Sequence, residues 1–233
     1  MKIQTLLASL LVSSAAMAQT PTMKPIVMKT PNEFQILAAS GNGKWACGVY
    51  SDYSNVQYGF LWNLETGEIE MLDPSKPSVA WSVSDDGLVV GQYEDTSYKS
   101  NGAAVELAGY WANGKWNRFE MPSDEVSGAG AASISPDGHY VTGHVEESGI
   151  YTGYIWKDGK IAKELINTNC SMPYAIAPDG QSAAGWIQRD NRTACIWEAD
   201  GEVTFLSDYQ SPWSSARKYT HDGKPLLCRC PWP

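Results

Sequence analysis

Short apolar runs that alternate with glycine-containing turns recur along the chain and predict β-strands. In one such unit, a strand leads into the turn Pro136-Asp137-Gly138, which reverses the chain into a hairpin. A second pair of strands is joined by the tight turn Asp158-Gly159. The four strands of this unit are residues 131–135, 140–143, 153–156 and 161–165. No amphipathic helical pattern of useful length follows the N-terminal leader, so we expect an all-β fold.

The turn glycine of this unit recurs with steps of 44, 51, 42 and 43 residues. Its five positions are Gly43, Gly87, Gly138, Gly180 and Gly223. A second glycine follows four or five residues later, at Gly48, Gly91, Gly143 and Gly185. In the fifth repeat, Cys228 takes this position. A third marker is a tryptophan that ends the third strand and is expected in the blade core, at Trp62, Trp111, Trp156 and Trp197. Four strands in about 43 residues are typical of a propeller blade.

The repeats predict a β-propeller of about five blades, built from four full four-stranded repeats and a partial fifth. The repeats cover approximately residues 35–73, 79–121, 130–166, 172–207 and, for the partial unit, 214–230. We attribute the 51-residue step to a loop at 94–107, and expect an N-terminal strand at 25–29 to complete the fifth blade. Two alternatives stay open: the chain is the front part of a longer propeller, or residues 229–233 come from a shortened reading frame.

The spacing of small residues, glycines, an aromatic-Trp strand and an Asp-Gly or Asn-Gly turn resembles the HAF-type extracellular repeat family, over roughly residues 35–228. The His-Ala-Phe tripeptide of that family is absent from this chain, which has Tyr58-Gly59-Phe60, Gly109-Tyr110 and Gly153-Tyr154 in its place. The resemblance implies a secreted, β-propeller-like protein and carries over no catalytic residues.

The first 18 residues have the pattern of an export leader. Met1 and Lys2 give a positive start, residues 6–12 are apolar, and Ala16-Met17-Ala18 supplies small residues for cleavage. We therefore expect residues 1–18 to be a signal peptide and residues 19–233 a single propeller domain, exported to the periplasm, the exterior or the cell surface. No later stretch approaches the roughly 20 apolar residues that a membrane-spanning helix requires, so membrane insertion is not expected.

Composition narrows the choice of partner. Asp and Glu number 26 against 17 Lys and Arg, which argues against a nucleic-acid partner because phosphate binding needs clustered positive charge. A hydrophobic content of 43% with ten Trp and twelve Tyr excludes a disordered chain. The five cysteines are scattered and odd in number, so most are expected to fill strands as small apolar residues, not to form disulfides.

Catalytic and metal-binding residues are scarce. Of the three histidines, His139 and His144 lie five apart, so a strand would point them to opposite sides, and His221 lies in a turn. The aspartates that precede turn glycines are expected to bond their own backbone. The small-residue stretch at 128–130 is assigned to a loop, since no helix follows it to cradle a phosphate. We therefore expect no metal site and no cofactor.

Binding residues are better supplied. The residue six places before each turn glycine differs from repeat to repeat, whereas neighbouring positions stay small. The five residues of this variable column are Leu37, Trp81, Ala132, Tyr174 and Arg217. If the strand that carries these five residues is the innermost strand of each blade, Trp81, Tyr174 and Arg217 form a ligand-binding site at one mouth of the central channel. Aromatic faces stack on sugar rings, and Arg can bind a carboxylate through two hydrogen bonds. The alternative is that these side chains only pack between blades. Trp186 and Tyr93 are secondary candidates on predicted loops.

The sequence thus predicts an exported, non-catalytic β-propeller that binds a carbohydrate or protein ligand at the channel mouth. One alternative is a glycan-degrading hydrolase or lyase on the same scaffold, which would need a pair of inward carboxylates. The other is a structural repeat domain on the cell surface, without a pocket and prone to self-association.

Overall fold

A computed structural model describes residues 34–100, 102–165, 170–206, 214–219 and 224–229. Within these ranges the chain forms eighteen β-strands in five antiparallel sheets and no helix. In the four larger sheets, the strands lie side by side in chain order. This confirms the predicted all-β fold of repeated four-stranded units. No helix in the described part is long and apolar enough to cross a membrane.

We number the sheets as blades in chain order. The first blade contains β1 (Phe34–Ala39), β2 (Trp45–Ser51), β3 (Gln57–Asn63) and β4 (Ile69–Met71). The second contains β5 (Ser78–Val83), β6 (Val89–Ser100), β7 (Ala103–Ala112) and β8 (Lys115–Arg118). The third contains β9 (Gly128–Ile134), β10 (Tyr140–Glu147), β11 (Ile150–Lys157) and β12 (Lys160–Leu165). The fourth contains β13 (Ser171–Ile176), β14 (Ala183–Gln188), β15 (Arg192–Trp197) and β16 (Val203–Phe205). The fifth blade contains β17 (Ser214–Tyr219) and β18 (Pro225–Arg229), and the expected strand at 25–29 lies outside the described residues.

The extra residues that lengthen the second repeat form a hairpin and not the predicted loop at 94–107. Strands β6 and β7 stay paired out to Ser100 and Ala103, with one irregularity between Asp95 and Lys99. The Asp95 carboxylate accepts hydrogen bonds from Ser97 N and Ser97 Oγ at 2.9 and 2.5 Å within that irregularity. The repeat step shows only that the second unit has extra residues, and it does not show that these residues stay paired as strands.

Apolar side chains pack between neighbouring blades. One buried cluster joins Cys47 and Leu72 of the first blade to Val89 of the second, and similar clusters join the second to the third and the third to the fourth. Trp62, Trp156 and Trp197 are buried, as predicted for blade-core residues. Trp111 differs, since it is half-buried and its Nε1 donates to Glu70 Oε1 of the first blade at 2.9 Å.

Two of the cysteines fill this core. Cys47 and Cys195 are fully buried free thiols, and burial raises the pKa of Cys47 to about 12. Such thiols stay protonated at neutral pH and pack as small apolar groups. This confirms the predicted role for these two positions.

The first strand of every blade carries a one-residue bulge. Pairing with the second strand skips one residue each time. The skipped residues are Leu37, Trp81, Ala132, Tyr174 and Arg217. They are the same five positions that form the variable column in the sequence.

A glycine lies opposite the bulge in each of the first four blades. A Cβ atom on Gly48 or Gly91 would lie 1.9 Å from a carbonyl oxygen of the first strand, and one on Gly143 would lie 2.0 Å from the Gly130 oxygen. For Gly185 the corresponding distance, to Met172 O, is 2.2 Å. These distances are far inside van der Waals contact, so only glycine fits the backbone observed at these four positions.

The fifth blade departs from the predicted register. The residue paired with Ala216, just before the bulge, is Leu227, whereas Cys228 pairs with Ser215. The predicted assignment of Cys228 to the glycine position is therefore wrong by one residue. The reason is that the residue opposite the bulge follows the turn glycine by four residues in this blade, as Gly91 does in the second blade, and not by five.

Replacing Gly143 by Ala should destabilise the protein, because the added methyl group meets the Gly130 carbonyl and the bulge must move. We expect a loss of about 2 kcal/mol or more in the free energy of unfolding. Thermal unfolding followed by tryptophan fluorescence measures this loss. The matched control is Gly128→Ala on the neighbouring strand, where the nearest atom to the new methyl group is the Glu146 carboxylate end at 3.3 Å. Equal melting temperatures for the two variants would contradict the proposed role of the glycine.

Candidate functional site

The five bulged residues line one cavity at the centre of the blades. Its volume is about 450 Å³, and all five members of the variable column contribute to its wall. We call it the bulge cavity. The first strands of successive blades contact one another around it, which shows that they are the innermost strands. A bulge turns its extra residue out of the regular alternation, and here that turn directs the side chain toward the cavity.

A second cavity of about 310 Å³ continues toward the turns between first and second strands. It shares Trp81, Ala132, Tyr174 and Lys218 with the bulge cavity. These four side chains therefore lie where the two cavities meet.

Trp81 presents part of its indole to the bulge cavity, with 40% of its surface exposed. Its Nε1 donates to Gln92 Oε1 at 3.2 Å, and Gln92 Nε2 in turn donates to Glu106 Oε2 at 2.7 Å. Because the three residues belong to β5, β6 and β7, hydrogen bonds across the blade fix the orientation of the ring. A large, exposed and oriented aromatic face is a surface on which a planar ring can stack.

Tyr174 and Arg217 form another part of the wall. The Arg217 guanidinium lies 4.0 Å from the centre of the Tyr174 ring, and Arg217 Nε donates to Ser215 Oγ at 3.1 Å. The Tyr174 hydroxyl accepts a hydrogen bond from Trp186 Nε1 at 3.2 Å. The guanidinium thus lies over an aromatic ring, and this contact together with the Ser215 bond restricts the orientation of the remaining N–H groups.

The structure therefore brings Trp81, Tyr174 and Arg217 together around one space. It does so through the bulges, which the sequence pattern did not reveal. The pattern singled out the column only because its residues vary while their neighbours stay small.

His144 also lines the bulge cavity, although the sequence pattern did not indicate it as a binding residue. It pairs with Gly130 across β9 and β10, and a Cβ atom on Gly130 would lie 3.1 Å from His144 Cε1. Residues 128–130 are therefore part of strand β9 and not the predicted loop, and the missing side chain of Gly130 leaves room for the imidazole. Burial lowers the pKa of His144 to about 4, so the ring is neutral at pH 7.

The other histidine and the turn aspartates lie away from this cavity. His139 Nδ1 is 2.7 Å from Asp158 Oδ1, and this hydrogen bond raises the pKa of His139. Asp137 and Asp179 accept backbone N–H bonds from residues two places on, at 3.1 and 3.0 Å, as the turn prediction required. His221 and Asp222 lie outside the described residues.

Metal ligands do not cluster in the part of the chain that the structure describes. No group of three or more His, Cys, Asp or Glu side chains there could hold a metal ion. Across the same residues, neither cavity has Asp or Glu in its wall.

The two secondary candidates are strand residues, so their predicted placement on loops is wrong. Tyr93 belongs to β6 and is buried, with its ring stacked on Trp116 at 5.5 Å between centroids. Trp186 belongs to β14, and its Nε1 donates a hydrogen bond to the Tyr174 hydroxyl. The Arg192 guanidinium lies 4.5 Å from the centre of the Trp186 ring. Neither is a wall residue of the bulge cavity.

Solved structures match the arrangement of these sheets. TolB from Acinetobacter baumannii superposes with a TM-score of 0.51 and 17% identity, over 84% of this chain and 51% of that protein. A TolB candidate from Agrobacterium tumefaciens gives 0.55 and 15%, over 81% of this chain and 71% of that protein. The fold is a β-propeller.

At these identities the likeness extends to the propeller fold alone, and the chain spans about half the length of the Acinetobacter protein. No protein-family model and no curated protein matches the sequence. The resemblance to HAF-type repeats therefore stays a prediction.

His144 should make the stability of the propeller depend on pH. Below about pH 6.5 the unfolded chain binds a proton at His144, whereas the folded chain does not until about pH 4. The free energy of unfolding should therefore fall as the pH drops through this window, by about 3 kcal/mol in all. Urea unfolding at a series of pH values measures the fall.

His144→Gln should remove that part of the acid destabilisation. His139→Gln is the matched control, since the pKa of His139 is raised and its stabilising effect is present at acid pH and lost as the pH rises. A His144→Gln variant with the same acid profile as the unmodified protein would contradict a buried neutral imidazole.

Proposed function

We propose that the protein is an exported, non-catalytic binding module whose ligand occupies the bulge cavity. The observation that carries the proposal is the meeting of Trp81, Tyr174 and Arg217, from three different blades, around one cavity. The volume of about 450 Å³ falls within the range of about 300–1,000 Å³ that small-ligand sites occupy. Export is supported by the leader pattern of residues 1–18.

The wall chemistry favours a carbohydrate over a protein as the ligand. Trp81 offers a flat apolar face, while Gln92 and His144 add amide and imidazole groups beside it. A sugar ring has an apolar face and a rim of hydroxyl groups that both donate and accept hydrogen bonds. A neutral imidazole likewise has one donor and one acceptor nitrogen, so it can pair with a hydroxyl group in either sense.

Binding is favoured over glycan cleavage by the same wall. Glycosidases use two carboxyl groups placed about 5 to 10 Å apart on either side of the scissile bond. The described residues that line the bulge cavity supply aromatic, amide, imidazole and cationic groups in place of such a pair.

Thermal unfolding of the purified chain with a panel of neutral and acidic oligosaccharides tests the proposal. A ligand that binds only the folded chain stabilises it by about 2.7 kcal/mol at one hundred times its Kd, which raises the melting temperature by several degrees. Trp81→Ala should abolish the shift. Trp111→Ala is the matched control, because Trp111 lies in β7 and bonds Glu70, outside the wall of the bulge cavity.

A cooperative transition that no oligosaccharide shifts would contradict the carbohydrate assignment and leave a protein ligand to be sought. A shift that survives Trp81→Ala but is lost in Trp111→Ala would place the site elsewhere.

A further inference from the structure

We infer that the bulge cavity selects an acidic sugar, and that it takes the terminal hexuronate of a glycan, not an internal segment. This inference rests on the proposed function and names the ligand class. Three features of the cavity support it: the sign of the charge in its wall, the fixed geometry of Arg217, and its size.

The charge in the cavity is opposite to that of the whole protein. The chain has a formal net charge of −9, yet the charged side chains among the described wall residues are Arg217 and Lys218. Among the described residues, neither cation lies within ion-pair distance of a carboxylate. Glu106, which is not a wall residue, accepts a hydrogen bond from the Gln92 amide. Two cations that pair with no carboxylate of the described residues favour an anionic ligand.

Arg217 is held in a geometry suited to a carboxylate. Its guanidinium carbon lies 4.0 Å from the centre of the Tyr174 ring, and its Nε donates a hydrogen bond to Ser215 Oγ. Among the described residues the two terminal nitrogens have no hydrogen-bond or ion-pair partner, so they can bind a carboxylate in parallel, which is the strong bidentate mode of arginine. Since stacking and the Ser215 bond already restrict the side chain, little further ordering is needed when the ligand binds.

The two sides of the cavity suit the two parts of a hexuronate. Trp81 offers a stacking face on the second blade, and Arg217 lies on the fifth blade. His144, neutral because burial lowers its pKa, adds hydrogen-bonding capacity without adding charge. A ring that carries one carboxylate satisfies the aromatic and the cationic components together.

The size of the cavity favours the end of a chain. A volume of about 450 Å³ is near the lower end of the range of about 300–1,000 Å³ for small-ligand sites, which suits one or two rings. Farther along the axis, Trp81, Ala132, Tyr174 and Lys218 surround the junction with the second cavity. A glycan that enters this space end-on places its terminal residue beside Arg217.

Calorimetric titration of the purified chain with glucuronate and with glucose tests the charge selection. We expect glucuronate to bind at least tenfold more tightly than glucose. Arg217→Gln should weaken glucuronate binding by about ten- to a hundredfold and leave glucose unaffected. Lys115→Gln is the matched control, since it removes one exposed positive charge from the outer strand β8 and should change neither affinity.

Titration with uronate polymers of increasing length tests the end-on mode. The number of protein molecules bound per polymer chain should stay constant as the polymer lengthens. A number that rises with length would overturn binding at the chain end.

Failure of this inference is distinguishable from failure of the proposed function. Equal affinity for glucose and glucuronate, with both lost in Trp81→Ala, would overturn the acidic specificity and leave a carbohydrate-binding module. No binding of any sugar would overturn both. If Arg217→Gln does not fold, the comparison of glucuronate with glucose on the unmodified chain decides the question by itself.

Discussion

A carbonyl oxygen of the first strand lies against the Cα of a glycine in each of the first four blades, and four of the five bulges that build the site depend on that contact. A side chain at Gly48, Gly91, Gly143 or Gly185 would force the two strands apart. With glycine there, the first strand can bulge and turn one extra residue toward the axis. The same bulge occurs in the fifth blade, where Ala216 pairs with Leu227. Five side chains thereby reach one cavity, and the residue type at each can differ because the bulge itself is a backbone feature.

The chemistry of the cavity follows from which residues occupy those five places. Leu37 and Ala132 leave space, whereas Trp81, Tyr174 and Arg217 supply an aromatic face and a cation. Supporting contacts from the second strands fix the aromatic side chains, through Gln92 for the indole and Trp186 for the phenol. The charged side chains of the described wall are therefore cations within an acidic protein, and His144, which also lines the cavity, carries no charge at neutral pH because burial lowers its pKa.

The sequence predicted most of the fold because each blade repeats the same turn and glycine spacing, and the variable column followed from aligning the repeats. It did not predict the bulges, since a skipped residue leaves no trace in a strand of small and apolar residues. His144 was missed for a related reason: its access to the cavity depends on Gly130, a residue of the neighbouring strand. The spacing of the repeats gives the length of the extra segment at 94–107 but not its pairing, so it could not distinguish a hairpin from a loop. The register of the fifth blade could not be set from Gly223 alone, because the turn-to-bulge spacing varies by one residue between blades.

A crystal structure of the chain with bound glucuronate tests the central claim, that the bulges assemble a binding site, most directly. The ligand should lie in the bulge cavity, with its ring against Trp81 and its carboxylate on the Arg217 guanidinium at hydrogen-bond distance. Ligand density in the outer groove beside Tyr98 and Arg118, with the bulge cavity holding only solvent, would contradict it.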